Sequence, residues 1–164
     1  MIIIELATSK PYLSQVREMF REYQGSLDVD LCFQDFEYEF ATLPGKYAPP
    51  QGRIYLAFVD GEVAGCIALR PLQAGQCEMK RLYVRTKFRG RNLARILANR
   101  VIAAAREIGY TEMFLDTLSS MVAAQTLYLS LGFEMTGAYC FNPVPGSLYM
   151  KLDLQAAGFD QSKV

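Results

Sequence analysis

The chain has 164 residues, 51% of them hydrophobic and 21% charged, and Lys plus Arg balances Asp plus Glu at 17 each; this suits one compact domain and excludes the whole-protein field that draws a chain onto nucleic acid or an anionic membrane. There is no histidine, which excludes Ser-His-Asp and Cys-His nucleophile systems, HExxH zinc chemistry and every imidazole base, and leaves carboxylates, tyrosines, lysines, backbone amides or a cofactor to do any catalysis. Cys32, Cys66, Cys77 and Cys140 stand apart among apolar neighbours without CxxC pairing, the pattern of buried thiols rather than of a zinc site or a disulfide framework.

Ile2 to Leu6 is a β-branched run suited to a strand, and Leu13, Val16, Phe20 and Tyr23 then recur at helical spacing until Gly25. Phe33, Phe36, Phe40 and Leu43 mark a second short helix, stopped by Pro44 and Gly45. Two strands, Arg53 to Val59 and Glu62 to Leu69, flank Asp60-Gly61, the pair best suited to a type I′ hairpin turn, and Pro71 ends the second. Gln76 to Val84 is a further strand. From Gly90 onward Leu93, Ile96, Leu97, Val101, Ala104, Ala105 and Ile108 trace a helical stripe closed by Gly109.

Glu112 to Thr117 is a short strand, and Ser119 or Ser120 can cap a helix carrying Met121, Ala124, Leu127, Tyr128 and Leu131, ended by Gly132. Phe133 to Cys140 is extended, 142–146 is a Pro-rich loop, and Leu148, Met150, Leu152 and Leu154 alternate with polar residues as in a half-buried strand. The order predicts an α/β chain: a mixed central sheet of about seven strands with about four helices on both faces, because a strand–helix–strand crossover demands parallel neighbours. One domain spans 1–154, with a loose tail at 155–164. No apolar run approaches membrane length, so the expected location is cytoplasmic.

Arg85, Lys87, Arg89, Arg91 and Arg95 cluster where the long helix begins, with no acidic residue between them. A helix N-terminus is already partly positive, so cations there cost a few tenths of a kcal/mol each unless an anion compensates them. With Gly90 allowing close backbone approach, the site suits a phosphate or pyrophosphate; the alternative is a solvated basic helix end.

The run EMKRLYVRTKFRGRNLA, Glu78 to Ala94, resembles the central signature of the GNAT acyltransferases, in which a strand precedes an R/Q-x-x-G-x-G/A loop and a helix. LDTLSSMVAAQTLYLSLGF, Leu115 to Phe133, is similar to the family's second signature. Lys87 stands where the family usually has Gln or Arg, Asn92 where a small residue belongs, and Met121 where many members carry Asn. Asn tolerates a positive φ better than other non-glycine residues.

The resemblance implies a GNAT fold and transfer of acetyl from acetyl-CoA, a cosubstrate, to a primary amine by direct attack in a ternary complex without a metal. It implies that Leu82, Tyr83 and Val84 pair with the pantetheine arm, and that Lys87, Arg89, Gly90, Arg91, Asn92, Leu93 and Ala94 surround the pyrophosphate. It makes Glu78 the general base, against the alternative of an exposed carboxylate paired with Lys80 or Arg81. It makes Tyr128 the general acid at the departing sulfur, against a purely packing role in the apolar stripe.

The expected partner is a small-molecule amine, amino acid or peptide acceptor, with no nucleic acid and no membrane; a homodimer is left open. Glu18, Glu22, Asp28, Asp30, Asp35, Glu37 and Glu39, with the loop from Tyr139 to Gly146, are expected near the acceptor, and their acidic bias hints at a cation. A non-catalytic acyl-CoA-binding or sensing domain of the same fold is the alternative function.

Overall fold

The computed structural model describes residues 1–27 and 35–156. Asp28, Asp30, Cys32 and Phe33, and the tail from 157 onward, lie outside the described residues. Within them run β1 (Ile2–Leu6), α1 (Leu13–Ser26), α2 (Phe36–Ala41), β2 (Arg53–Val59), β3 (Glu62–Pro71), β4 (Gln76–Val84), α3 (Leu93–Ile108), β5 (Glu112–Leu118), α4 (Val122–Ser130), β6 (Glu134–Thr136) and β7 (Ser147–Asp153). This is the element order expected from the sequence.

The strands form one seven-stranded sheet, ordered β1-β2-β3-β4-β5-β7-β6. Asp60 and Gly61 both take positive φ, 49° and 85°, the signature of a type I′ turn. That turn sets Val59 opposite Glu62 and so fixes the β2–β3 register. The parallel neighbours are β4 and β5, joined by the α3 crossover.

Both faces of the sheet are covered, so β2 and β3 read as nearly continuous apolar runs. On one face Leu93, Leu97, Val101 and Ile102 of α3 and Tyr128 of α4 pack on Tyr55, Ile67, Met79 and Leu115. On the other, Val16, Met19 and Phe20 of α1 and Phe36 of α2 pack on Ile54, Leu56, Cys66 and Ala68. Cys66 and Cys77 are buried thiols, both pushed up to about 12 by burial.

Local departures from the expectation have identifiable causes. Neither Ser119 nor Ser120 caps α4: Met121 holds the N-cap position without a side-chain bond. The Ser119 amide donates instead to Gly146 O at 3.1 Å, and Gln125 Nε2 donates back to the Leu118 and Ser119 carbonyls. The extended run expected from Phe133 to Cys140 is a strand only over Glu134–Thr136; the chain then leaves the sheet and carries Tyr139 to the Glu78 side chain. β3 runs two residues beyond the expected Leu69 and ends at Pro71, as that proline led one to expect. Among the described residues no helix is long and apolar enough to cross a membrane, and no cluster of His, Cys, Asp and Glu could hold a metal.

Candidate active site

The β4–β5 ladder is short. Gln76, Cys77 and Glu78 pair with Glu112, Met113 and Phe114, and there the pairing stops, although β4 runs on to Val84 and β5 to Leu118. Beyond Glu78 the two strands form a fork. β4 is also bulged: Ala68 pairs with Lys80 but Cys66 with Tyr83, so Ile67 faces both Arg81 and Leu82, and Arg81 takes a φ of 60°. A bulge re-aims the side chains and backbone groups that follow it.

Two concavities meet at the fork. A cleft of about 50 Å³ is walled by Met79–Leu82 on one strand and Leu115–Leu118 on the other, with Asn142 and Val144 closing it. A groove of about 340 Å³ runs from Leu82, Tyr83 and Val84 past Phe88, Arg89, Gly90, Asn92, Leu93, Ala94 and Arg95 to the flank of α4. Tyr23, Leu82, Met121 and Tyr128 line both.

The groove fits a coenzyme A thioester. Gly90 (φ 82°) and Asn92 (φ 65°) are both left-handed, and Asn92 is the N-cap of α3, whose first turn holds no acidic residue. Such a backbone gathers N–H groups into an anion-binding concavity at the positive end of a helix. Among the described residues the extended backbone of Leu82 to Val84 has no partner strand on the fork side, and it can pair with an extended amide chain.

The basic cluster does not act as a unit. Arg85 is held by Glu18 and Glu22 of α1, with Nη2 at 2.7 Å from a carboxylate oxygen of each. Lys87 pairs with Glu62 at 2.7 Å, and the Arg91 guanidinium lies 5.7 Å from the Phe88 ring centroid; neither lines the groove. Arg89 and Arg95 do line it, with Arg89 Nε donating to Val84 O and Arg95 Nη2 to Ser130 Oγ.

Glu78 is 1% exposed, not the solvated carboxylate of the alternative reading. Arg70 Nε donates to its Oε1 at 2.7 Å and the Tyr139 hydroxyl to its Oε2 at 2.5 Å, while Lys80 Nζ stands 3.9 Å away. Burial pushes its pKa up, but Lys80, Arg70 and Tyr139 together outweigh that and hold it below the usual carboxylate value. Glu78 sits at the apex of the fork, the last residue in the ladder. Tyr139 is fixed in turn between Phe114 and Tyr149, with ring centroids 5.1 and 5.8 Å away.

Tyr128 is buried where cleft and groove join, edge-on to Phe133. Burial pushes its phenol pKa well up, and the Tyr23 and Asp116 charges add to the shift. Asp116 stands on the β5 wall and accepts from Asn142 Nδ2 at 3.0 Å.

The acidic insertion serves the chain's own cations. Beyond Glu18 and Glu22, Glu37 pairs with Arg21, and Glu39 takes Arg81 Nε and Nη2 together with the Tyr47 hydroxyl. These four carboxylates are engaged within the chain; Asp28 and Asp30 lie outside the described residues. Arg70 and Asp116 were not singled out from the sequence. Arg70 had a signal, since the short turn between β3 and β4 sets it opposite Glu78; Asp116, which reaches the site through a parallel crossover, had none.

Comparison with known proteins agrees with this geometry. The sequence model of the family described as Acetyltransferase (GNAT) family matches residues 13–133. A Schizosaccharomyces pombe protein named as an uncharacterized N-acetyltransferase is 39% identical over 144 residues, 87% of this chain and 88% of that one. An acetyltransferase of the GNAT family from Staphylococcus aureus Mu50 has the same fold, with a TM-score of 0.78 at 19% identity, covering 94% of this chain and all of that one. YncA of Salmonella typhimurium, solved with its cofactor acetyl-CoA, matches at a TM-score of 0.68 and 22% identity over 98% of each chain. The chain belongs to the GNAT acetyltransferase family, and is an acyltransferase with acetyl-CoA as its cosubstrate.

Proposed function

We propose that this chain moves the acetyl group of acetyl-CoA onto the primary amine of a small acceptor, by direct attack with both substrates bound. The observation that carries the reading is the junction: a groove suited to the cosubstrate and a cleft suited to an acceptor open onto each other at Leu82 and Tyr128. Acetyl-CoA, when bound, supplies an activated acetyl thioester.

The chain's own residues supply the rest. An alkylammonium with a pKa of about 10.4 is almost wholly protonated at neutral pH, so the acceptor must lose a proton before it attacks. Glu78, an anion throughout the neutral range, receives that proton through water or the Tyr139 hydroxyl. Its lowered pKa makes it a weak base, which sets its contribution near the lower end of the usual range, about 100-fold.

Negative charge developing on the carbonyl oxygen meets a backbone N–H near Leu82, just past the bulge. Tyr128 stays protonated because its pKa is raised, so it stabilises the departing sulfur by donating a hydrogen bond rather than by giving up its proton; as the C–S bond breaks, the thiolate takes the second proton of the attacking nitrogen and leaves as the CoA thiol.

Release of CoA thiol from acetyl-CoA against a panel of amines tests the reading. The expected result is turnover with at least one acceptor, reduced about 100-fold in kcat by Glu78→Gln and about 10- to 100-fold by Tyr128→Phe, with CoA binding kept. Unchanged rates in both variants would remove these two residues from the reaction.

A further inference from the structure

A further concavity, of about 440 Å³, lies outside the fork and shares no lining residue with the cleft or the groove. It starts at the sheet row Arg70–Glu78–Phe114 and extends away from the fork, along the turn that joins β3 to β4. Residues paired across strands share a face, so Arg70, Glu78 and Phe114 stand side by side, with the Tyr139 ring against Phe114. Glu78 is buried behind the two residues that bond to it, and those two, Arg70 and Tyr139, are walls of the concavity.

Two cations open onto this space. Arg70 donates Nε to Glu78 at 2.7 Å, and among the described residues its Nη1 and Nη2 have no hydrogen-bond partner, while the side chain stays 23% exposed. Lys46, on the short turn Gly45–Tyr47, is exposed and makes no ion pair among the described residues. The two carboxylates that act on Arg70 are Glu78 and Glu39. The first is hydrogen-bonded to Arg70 and Tyr139, the second to Arg81 and Tyr47. Glu112, beside the turn, accepts from Gln76 Nε2 at 3.2 Å. Like charges facing one hollow repel each other, and an anion between them removes that cost.

The outer edge of a guanidinium presents two parallel N–H groups in a plane, the match for a carboxylate, and a lysine adds a point charge. Pro71, Leu72 and Phe114 give the same space an apolar wall, which suits the hydrocarbon part of an organic acid and has nothing to offer inorganic phosphate. We propose that this concavity is an effector site for a small organic carboxylate, its oxygens on Arg70 Nη1 and Nη2, its charge shared with Lys46 and its hydrocarbon part against Phe114 and Leu72. One guanidinium then holds Glu78 on one edge and the ligand on another. The effector role rests on the acetyl-transfer reading above: the ligand's charge offsets the pull of Arg70 on Glu78, so that Glu78 takes the acceptor's proton more readily.

The test titrates benzoate, hexanoate, benzamide and inorganic phosphate into the CoA-bound protein by calorimetry at fixed ionic strength, so that the groove is already filled. The expected result is one site for benzoate or hexanoate, with benzamide and phosphate at least about tenfold weaker, because the amide brings no charge and phosphate no apolar part. Lys46→Met, a change at an exposed position, should weaken carboxylate binding about 3- to 10-fold and leave the rate without carboxylate unchanged. Saturating carboxylate should raise kcat for CoA thiol release about twofold, and the same concentration should do less in Lys46→Met. Absence of carboxylate binding, equal binding of benzamide or phosphate, or unchanged affinity in Lys46→Met overturns the site. Binding that leaves kcat unchanged, or that competes with the acceptor, overturns the effector role. Absence of turnover with every amine overturns the transfer reading and the effector role with it, while the calorimetry still decides the site.

Discussion

Removing the Tyr139 hydroxyl isolates one of the bonds that hold Glu78. That bond helps keep the Glu78 carboxyl below its ordinary pKa, so in Tyr139→Phe the carboxyl should titrate higher. The sign follows from linkage: a carboxyl whose pKa is lowered on folding contributes stability above its unfolded value, about 4.3, and that stability is lost as pH falls through the folded value. Acid-induced loss of structure, followed by circular dichroism, should move to higher pH in Tyr139→Phe; an unmoved midpoint would mean that Tyr139 does not tune Glu78. The same shift predicts that kcat/KM shows no limb near pH 6 to 7 arising from Glu78, and that the rise toward alkaline pH follows the acceptor amine. At this scale the sequence was legible in part. The position of Glu78 followed from the strand and motif around it; Arg70, whose signal lay in the pairing register, was not singled out, and Tyr139 comes from 61 residues away through an irregular loop that no periodicity encodes.

The turn into α3 is the element whose sequence and geometry agree most closely. Asn92 was expected to tolerate a positive φ and has one, 65°. Asn92→Gly should therefore fold as well as wild type, whereas Asn92→Val should lose about 1–2 kcal/mol, because a β-branched residue resists the left-handed region; urea unfolding measures both. Equal stability of the two variants would contradict the backbone geometry. The start of α4 was misjudged for the opposite reason. Two serines in sequence advertise a cap, but the helix begins at Val122, which puts Met121 in the cap position and leaves both serines ahead of it. The cations ahead of α3 likewise looked like a single anion site because charge along a chain does not reveal which acids lie across space; α1 and β3 supply them.

For the whole molecule, mass action gives a direct expectation. Coenzyme A at about 100 times its dissociation constant should stabilise the fold by about 2.7 kcal/mol, a rise in melting temperature of roughly 5–10 °C for a chain of this size. No shift with CoA at millimolar concentration would argue against the groove. The mixed sheet and the helices on both faces were legible from element order, since a crossover between parallel strands admits few arrangements; the strand order was not read from it. The early end of the β4–β5 ladder was not, because splaying is a property of two strands that meet only in space. That splay leaves the protein as two antiparallel halves, β1 to β4 and β5 to β7, stitched by three residue pairs. In the proposed reading cosubstrate and acceptor lie along the open stretch like the missing rungs of a ladder. Amide hydrogens along 79–84 and 115–118 that face the fork should exchange quickly in the empty protein and slowly once both ligands are in place. On the proposed reading the sheet is one whose gap is filled by its ligands rather than by chain, so occupancy and cohesion of the two halves rise together.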